Sequence, residues 1–263
     1  MFATISLVLI ALSAYVLGSA ALTRLFGPAA LRGPERVPLA AGTGLGVLSW
    51  LVSVTSPFIP YLNPPALWSI LAVLGVAGGM RLAADTRSGI LTGADPDRPR
   101  GADPWTRLGT AAVILIFAAE IPVLFTPYLD GDVRGYHFLL PVRFLQDGRL
   151  THHPEILYNF WALHAEMLYT LALGTGGEPA ARGVAWLAGV LWAAAFGGFV
   201  ARAFSPRTAV LAILLVLALA STSKVRIELT LSCPRRALGR TGLLTSVGSG
   251  PRMVGNSRQG EEP

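Results

Sequence analysis

From Phe2 to Leu22 the chain carries no charged residue. Wound as a helix, a run of that length covers about 30 Å, the hydrocarbon thickness of a bilayer, and about 20 apolar residues are what a crossing requires. Runs of similar character follow at Val37 to Phe58, Ala66 to Ala84, Leu108 to Tyr128 and Gly183 to Ala201, with a shorter one at Ala209 to Ala220. Only 14% of the 263 residues are charged, against about 25% in an ordinary soluble domain, and the mean hydropathy is +0.55. The length is therefore spent on membrane helices and not on one globular interior, which excludes a soluble enzyme. The expected fold class is all-α: a polytopic helix bundle of about six spans in the lipid bilayer, with a helical outer loop after span four.

Charge sets the expected topology. No basic residue precedes the first run, while Arg24, Arg32 and Arg36 follow it, which is the reverse of a cleavable signal peptide and puts the N-terminus outside. The turn around Asn63, Pro64 and Pro65 is uncharged, and Arg81, Arg87, Arg98, Arg100 and Arg107 crowd the next connection, which the positive-inside rule makes cytoplasmic. Residues 1–128 thus read as four transmembrane helices, 129–182 as an outer loop with interfacial helices, and 183–222 as two further helices, the sixth short. Lys224 is the chain's single lysine among 21 basic residues, a bias read as codon usage and not as a nucleic-acid footprint. Cys233, the lone cysteine, excludes an internal disulfide framework.

Residues 223–263 break the pattern. Lys224, Arg226, Arg235, Arg236, Arg240, Arg252 and Arg258 face Glu228, Glu261 and Glu262, so this tail supplies most of the net charge of +6 while the topology puts it outside. Its Gly, Ser and Arg content without apolar period reads as disorder. Two expectations stand side by side: a genuine frame ending near Ser221 with a non-native end, or a cytoplasmic tail following five spans.

The outer segment is unlike the rest. His137, His152, His153 and His164 all lie there, with Asp130, Asp132, Asp147, Glu155, Glu166 and Glu178 among aromatic residues. It contains the pattern D-x-x-x-Y-H at Asp132 to His137, a D-G-R-L turn at Asp147 to Leu150, and E-M-L-Y at Glu166 to Tyr169 before a small-residue run ending in Gly176 and Gly177. In that order, just after an outward-going helix, these patterns resemble the bacterial GT-C membrane glycosyltransferases, relatives of the protein mannosyltransferases that use polyprenyl-phosphate sugars. The resemblance covers about Thr126 to Thr222. It implies an acidic residue of the first outer loop, Asp132 or Asp130, as base or acceptor-orienting group. It also implies an enzyme of the bacterial cytoplasmic membrane acting at the outer face. The family's module continues with further helices, so this chain is expected to be its N-terminal portion.

A carboxylate at the mouth of a hydrophobic wall is partly desolvated, which raises its pKa and makes it a better base. A lipid phosphate is already a good leaving group, so one base suffices where a glycosidase needs two carboxyl groups. Arg134 or Arg143 offers a planar, permanently charged fork for that phosphate, and Tyr136, His137 and Glu166 complete the expected substrate-binding set. Tyr136, Tyr158, Phe160 and Trp161 suit the headgroup level, and the run from His164 to Gly174 is short enough to lie at the interface. No cofactor is required; the adjacent acids Asp130 and Asp132 leave a divalent cation open, whereas the histidines lack the spacing of a metal motif. Gly42-Thr43-Gly44-Leu45-Gly46 lies within a span and reads as helix packing and not as a phosphate loop. Arg182 is either an anchor for the fifth span or a phosphate ligand. A reading of a different class, a non-catalytic or transport component, would rest on Glu120, a carboxylate inside the fourth span.

Overall fold

The computed structural model describes residues 1–27, 33–91, 103–126, 137–153 and 164–219. Residues Met1–Val216 form one compact unit. Its described residues are helical, with no strand among them: α1 (Phe2–Phe26), α2 (Arg36–Thr55), α3 (Pro64–Arg87), α4 (Pro104–Glu120), a 3-10 turn (Pro122–Phe125), α5 (Leu139–Asp147) and α6 (His164–Ala203). A further helix, α7, is described over Pro206–Leu219. Five of these are long and apolar enough to cross a membrane: α1, α2, α3, α4 together with its 3-10 turn, and α6. The expected sixth span falls on α7, whose described residues Pro206–Leu219 rise about 21 Å.

Helix ends follow local chemistry. The Asn63 side chain accepts from the Ala66 amide at 3.1 Å, and Asp103 accepts from the Thr106 amide at 2.8 Å; in both cases proline occupies the first helical position. The fourth crossing departs from the expected continuous run. Its α-helix stops at Glu120 and passes into the 3-10 turn at Pro122, whose ring cannot continue the hydrogen-bond ladder.

Helices α1, α2 and α3 pack through backbones brought close by small residues. A Cβ on Gly18 would lie 1.8 Å from the Ala40 carbonyl oxygen, one on Gly44 1.6 Å from that of Ala14, and one on Gly78 2.0 Å from that of Leu12. Without a solvent-driven hydrophobic effect between membrane helices, such approach is how van der Waals contact is gained. The glycine-rich stretch of α2 thus serves packing through Gly44. The same contacts fix register: α1 and α2 are antiparallel, with Gly18 opposite Ala40 and Ala14 opposite Gly44, and α3 runs parallel to α1. Arg24, Arg36, Arg81 and Arg87 accordingly gather at one end of the bundle.

That arginine-rich end holds a buried polar network. The Tyr15 hydroxyl donates to Asp85 Oδ2 at 2.7 Å, Arg36 Nε donates to the same oxygen at 3.2 Å, and a terminal Arg36 nitrogen donates to Ser19 Oγ at 3.1 Å. Arg81 pairs with Asp85 Oδ1 at 3.2 Å, one helical turn away. The apolar core occupies the other half of the bundle, where Ile10, Leu48, Val52, Leu67 and Leu71 meet Leu140 and Phe144 of α5 and Met167 and Leu171 of α6.

Helix α6 is two helices joined at Gly177, whose φ of 71° no helix interior adopts, with Pro179 two residues further on. The first part touches the α1/α2 pair at both ends: the His164 carbonyl accepts from Ser49 Oγ, and Thr175 Oγ1 bonds Ser6 Oγ. In the register given above, Ser49 lies opposite Leu9, so the two contacts differ in level by about 5 Å, while a helix from His164 to Thr175 rises about 16 Å. This part therefore runs more across the bundle than along it. After the kink α6 turns parallel to α1, with Gly183 against Leu7 and Gly198 against Glu35.

Candidate functional site

Three connections converge at the end opposite the arginines. The left-handed cap Gly148 (φ 70°) closes α5, and its carbonyl accepts from the Leu62 amide at 2.7 Å, fastening α5 to the turn between α2 and α3. Leu140, Pro141 and Phe144 are the buried face of α5, and Arg143 lies on its exposed face.

On this platform two residues singled out from separate motifs meet. His137, just before α5, places Nδ1 2.8 Å from Oε1 of Glu166, in the first turn of α6. Glu166 is 5% exposed, and burying an ionised carboxylate is costly unless it is paired and hydrogen-bonded. The histidine answers that need, either as a neutral ring donating from Nδ1 or as an imidazolium. Its orientation is further fixed by Tyr169, packed edge-on at 6.2 Å, and Tyr169 also packs edge-on against Phe138 at 5.9 Å. The imidazole is 29% exposed, so it can reach solvent or a ligand while one nitrogen is held. A buried carboxylate behind a half-open imidazole is an arrangement that can orient a hydroxyl or relay a proton.

A second polar group borders the first. The Asp147 carboxylate, at the end of α5, accepts from the Thr151 hydroxyl and faces His153 Nε2 at 3.0 Å, and the His153 ring packs on Phe144. The Thr151 hydrogen bond holds the Asp147 carboxyl below the usual range, with His153 adding to the effect. Below it, the Tyr61 phenol is pushed up by burial.

Of the expected site residues, His137 and Glu166 are brought together and Arg143 lies on the neighbouring helix. Asp130, Asp132, Arg134 and Tyr136 lie outside the described residues, as do Tyr158, Phe160, Trp161 and the segment 223–263. Among the described residues no three His, Cys, Asp or Glu side chains form a metal-binding group. Arg182 donates to the carbonyls of Leu124 and Thr126, so it anchors α6 to the exit of α4. Glu120 is the last residue of α4 and is exposed, not enclosed by neighbouring helices. The network around Asp85 was not anticipated, although an aspartate four residues after Arg81 near the end of an apolar run carries the signal. No family model, no curated protein and no solved structure matches the chain.

Proposed function

We propose that the protein is a membrane glycosyltransferase, or part of one, that moves a sugar from a polyprenyl-phosphate donor to an acceptor hydroxyl at the outer face of a bacterial cytoplasmic membrane. Asp132 is the base, with Asp130 beside it, and Arg134 or Arg143 holds the lipid phosphate. His137 and Glu166, with Tyr136, line the acceptor side.

The observation that carries the reading is the 2.8 Å contact between His137 and Glu166. These residues come from the D-x-x-x-Y-H and E-M-L-Y patterns, 29 positions apart. Two motif residues that meet across half of the outer segment support a common site better than either motif alone. The end of the bundle is also apt. It lies opposite the arginine cluster, and by the positive-inside bias that is the non-cytoplasmic side, where a sugar is most simply presented on a lipid.

The test is transfer of radiolabelled sugar from a polyprenyl-phosphate-sugar by the full chain in liposomes. Loss of a general base costs about 10²–10⁴ in rate, so Asp132→Asn is expected to fall by at least the lower figure while the protein still folds. Undiminished transfer by that variant would eliminate the assigned role.

A further inference from the structure

The bundle holds a cleft of about 710 Å³ that the sugar-transfer reading does not use. Its walls are α4, the part of α6 after the kink, and α7, with Pro34, Glu35 and Pro38 as its floor at the arginine-rich end. The lining is almost wholly apolar, including Val113, Phe117, Val190, Ala194 and Val210. Its size lies within the range of about 300–1,000 Å³ usual for ligand sites.

The walls are held apart and held together at definite points. Towards the outer end, the Trp186 indole donates to the Phe117 carbonyl at 3.0 Å. At the opposite end Gly109 of α4 meets Val210 of α7, and Arg207 pairs with Asp103 at 3.5 Å. From Thr106 to Ile121 the wall that follows α4 measures about 22 Å, more than half of a hydrocarbon core of about 30 Å. A cleft of that depth, walled by membrane helices, is long enough to take a lipid tail.

Its mouth carries the complementary charge. Arg202 and Arg207 directly follow and flank the lining residues Ala201 and Pro206. Arg202 pairs with Glu35 at 3.0 Å, and the two arginine side chains are 63% and 58% exposed. A guanidinium offers five donors in a fixed fork, so an arginine in one ion pair still has N–H groups for a phosphodiester. Gly198 makes the arrangement possible, because a Cβ there would stand 2.4 Å from the Glu35 side chain.

We infer that this cleft is a binding site for a phospholipid of the inner leaflet, with its phosphodiester on Arg202 and Arg207 and one acyl chain running along α4 towards Phe117. The inference stands independently of the sugar-transfer reading, whose residues lie at the other end.

Photo-crosslinking tests it. The full chain is placed in phosphatidylglycerol vesicles doped with phosphatidylglycerol carrying a diazirine either near the ester or at the chain end. The near-ester probe is expected to label residues around Thr110 and Val210 and the chain-end probe those around Phe117 and Val190, well above the labelling of Val73, Val76 and Met80 on the exposed face of α3. One charge-assisted contact is worth enough to change occupancy about tenfold, so Arg202→Gln with Arg207→Gln should cut cleft labelling by at least that factor and leave α3 unchanged. Ala194→Trp, which fills the cleft, should do the same. Cleft labelling equal to that of α3, a reversed order of the two probes, or indifference to the arginine variants would overturn the proposal. So would displacement by an equimolar polyprenyl phosphate.

Discussion

Both ends of the bundle bury a carboxylate, and they differ in how completely it is enclosed. Asp85 is 2% exposed and is met by Tyr15, Arg36 and Arg81, while Arg36, itself 4% exposed, reaches on to Ser19. Glu166 is equally deep but faces a histidine that is half open. In the first, Tyr15 and Ser19 of α1, Arg36 of α2 and Asp85 of α3 bond one another, so the group ties three helices together. In the second, the carboxylate fixes an imidazole that is 29% exposed. The contrast separates a polar group that organises the membrane bundle from one suited to chemistry.

The comparison breaks first at Asp85. Removing one partner of a buried pair leaves the other charge uncompensated, at a cost of about 3–5 kcal/mol. Asp85→Ala should therefore lower stability in detergent by that order, read by denaturant titration of the helical signal. Replacing Asp85 and Arg36 together by leucine should recover most of it, because no buried charge is then left unpaired, Arg81 being 43% exposed. A loss below about 1 kcal/mol for the single variant would show that the pair does not hold the three helices.

Next in size is the packing that brings these helices close enough for the network to form. Gly44→Leu drives a side chain into the Ala14 carbonyl, where even a Cβ would stand at 1.6 Å. Overpacking costs about 1–3 kcal/mol, or more where backbone must move. Gly46, two residues on, has open space around its Cβ position, so Gly46→Leu should be nearly silent in the same measurement. Equal effects at the two positions would refute the register.

How much of this was legible in the sequence follows from what each feature depends on. Span positions depend on composition along a short window, and the runs at Phe2, Val37 and Ala66 needed nothing more. The end of α4 needed attention to Pro122, a single residue that overrode an otherwise continuous apolar run. The D-G-R-L turn was readable because Gly148 alone can supply its left-handed cap cheaply. The pairing of His137 with Glu166 and of Tyr15 with Asp85 is tertiary: each joins residues with no local pattern in common. The membrane itself sharpened one such signal, since a charge inside an apolar run must find a partner, yet it left open whether Arg36 or Arg81 would be that partner.

At the outer end, Glu166→Gln keeps the shape of the side chain and removes its charge. The neutral amide can still bond the ring, so stability should change by about 1 kcal/mol or less, far below the effect at Asp85. Sugar transfer should fall by more than that figure implies, about tenfold or more, if the carboxylate orients the ring for proton movement. A fall in stability as large as that of Asp85→Ala, with transfer intact in the folded fraction, would place the pair with the structural network.

The smallest expected effect lies beside it, at Asp147. The Thr151 hydroxyl and His153 hold this carboxyl below its ordinary value, so its folded pKa is depressed relative to the unfolded chain. Linkage then gives the sign: the contribution to folding is present above the ordinary carboxyl value of about 3.9 and is lost as pH falls through the lower folded value. Acid should therefore loosen the turn from Asp147 to His153 before it affects the helices, visible as faster amide exchange there alone. Thr151→Val deletes the largest of the causes that lower it and keeps the side chain's shape. It should return the Asp147 titration, followed by carboxyl-carbon NMR, toward the ordinary value and shrink the acid-dependent part of the loosening. The His137 and Glu166 contact should be indifferent, because it joins residues on the other side of α5. If the Thr151 variant left the Asp147 titration unmoved, the hydroxyl would not be what sets it, and His153 and Arg143 would remain as the groups that do.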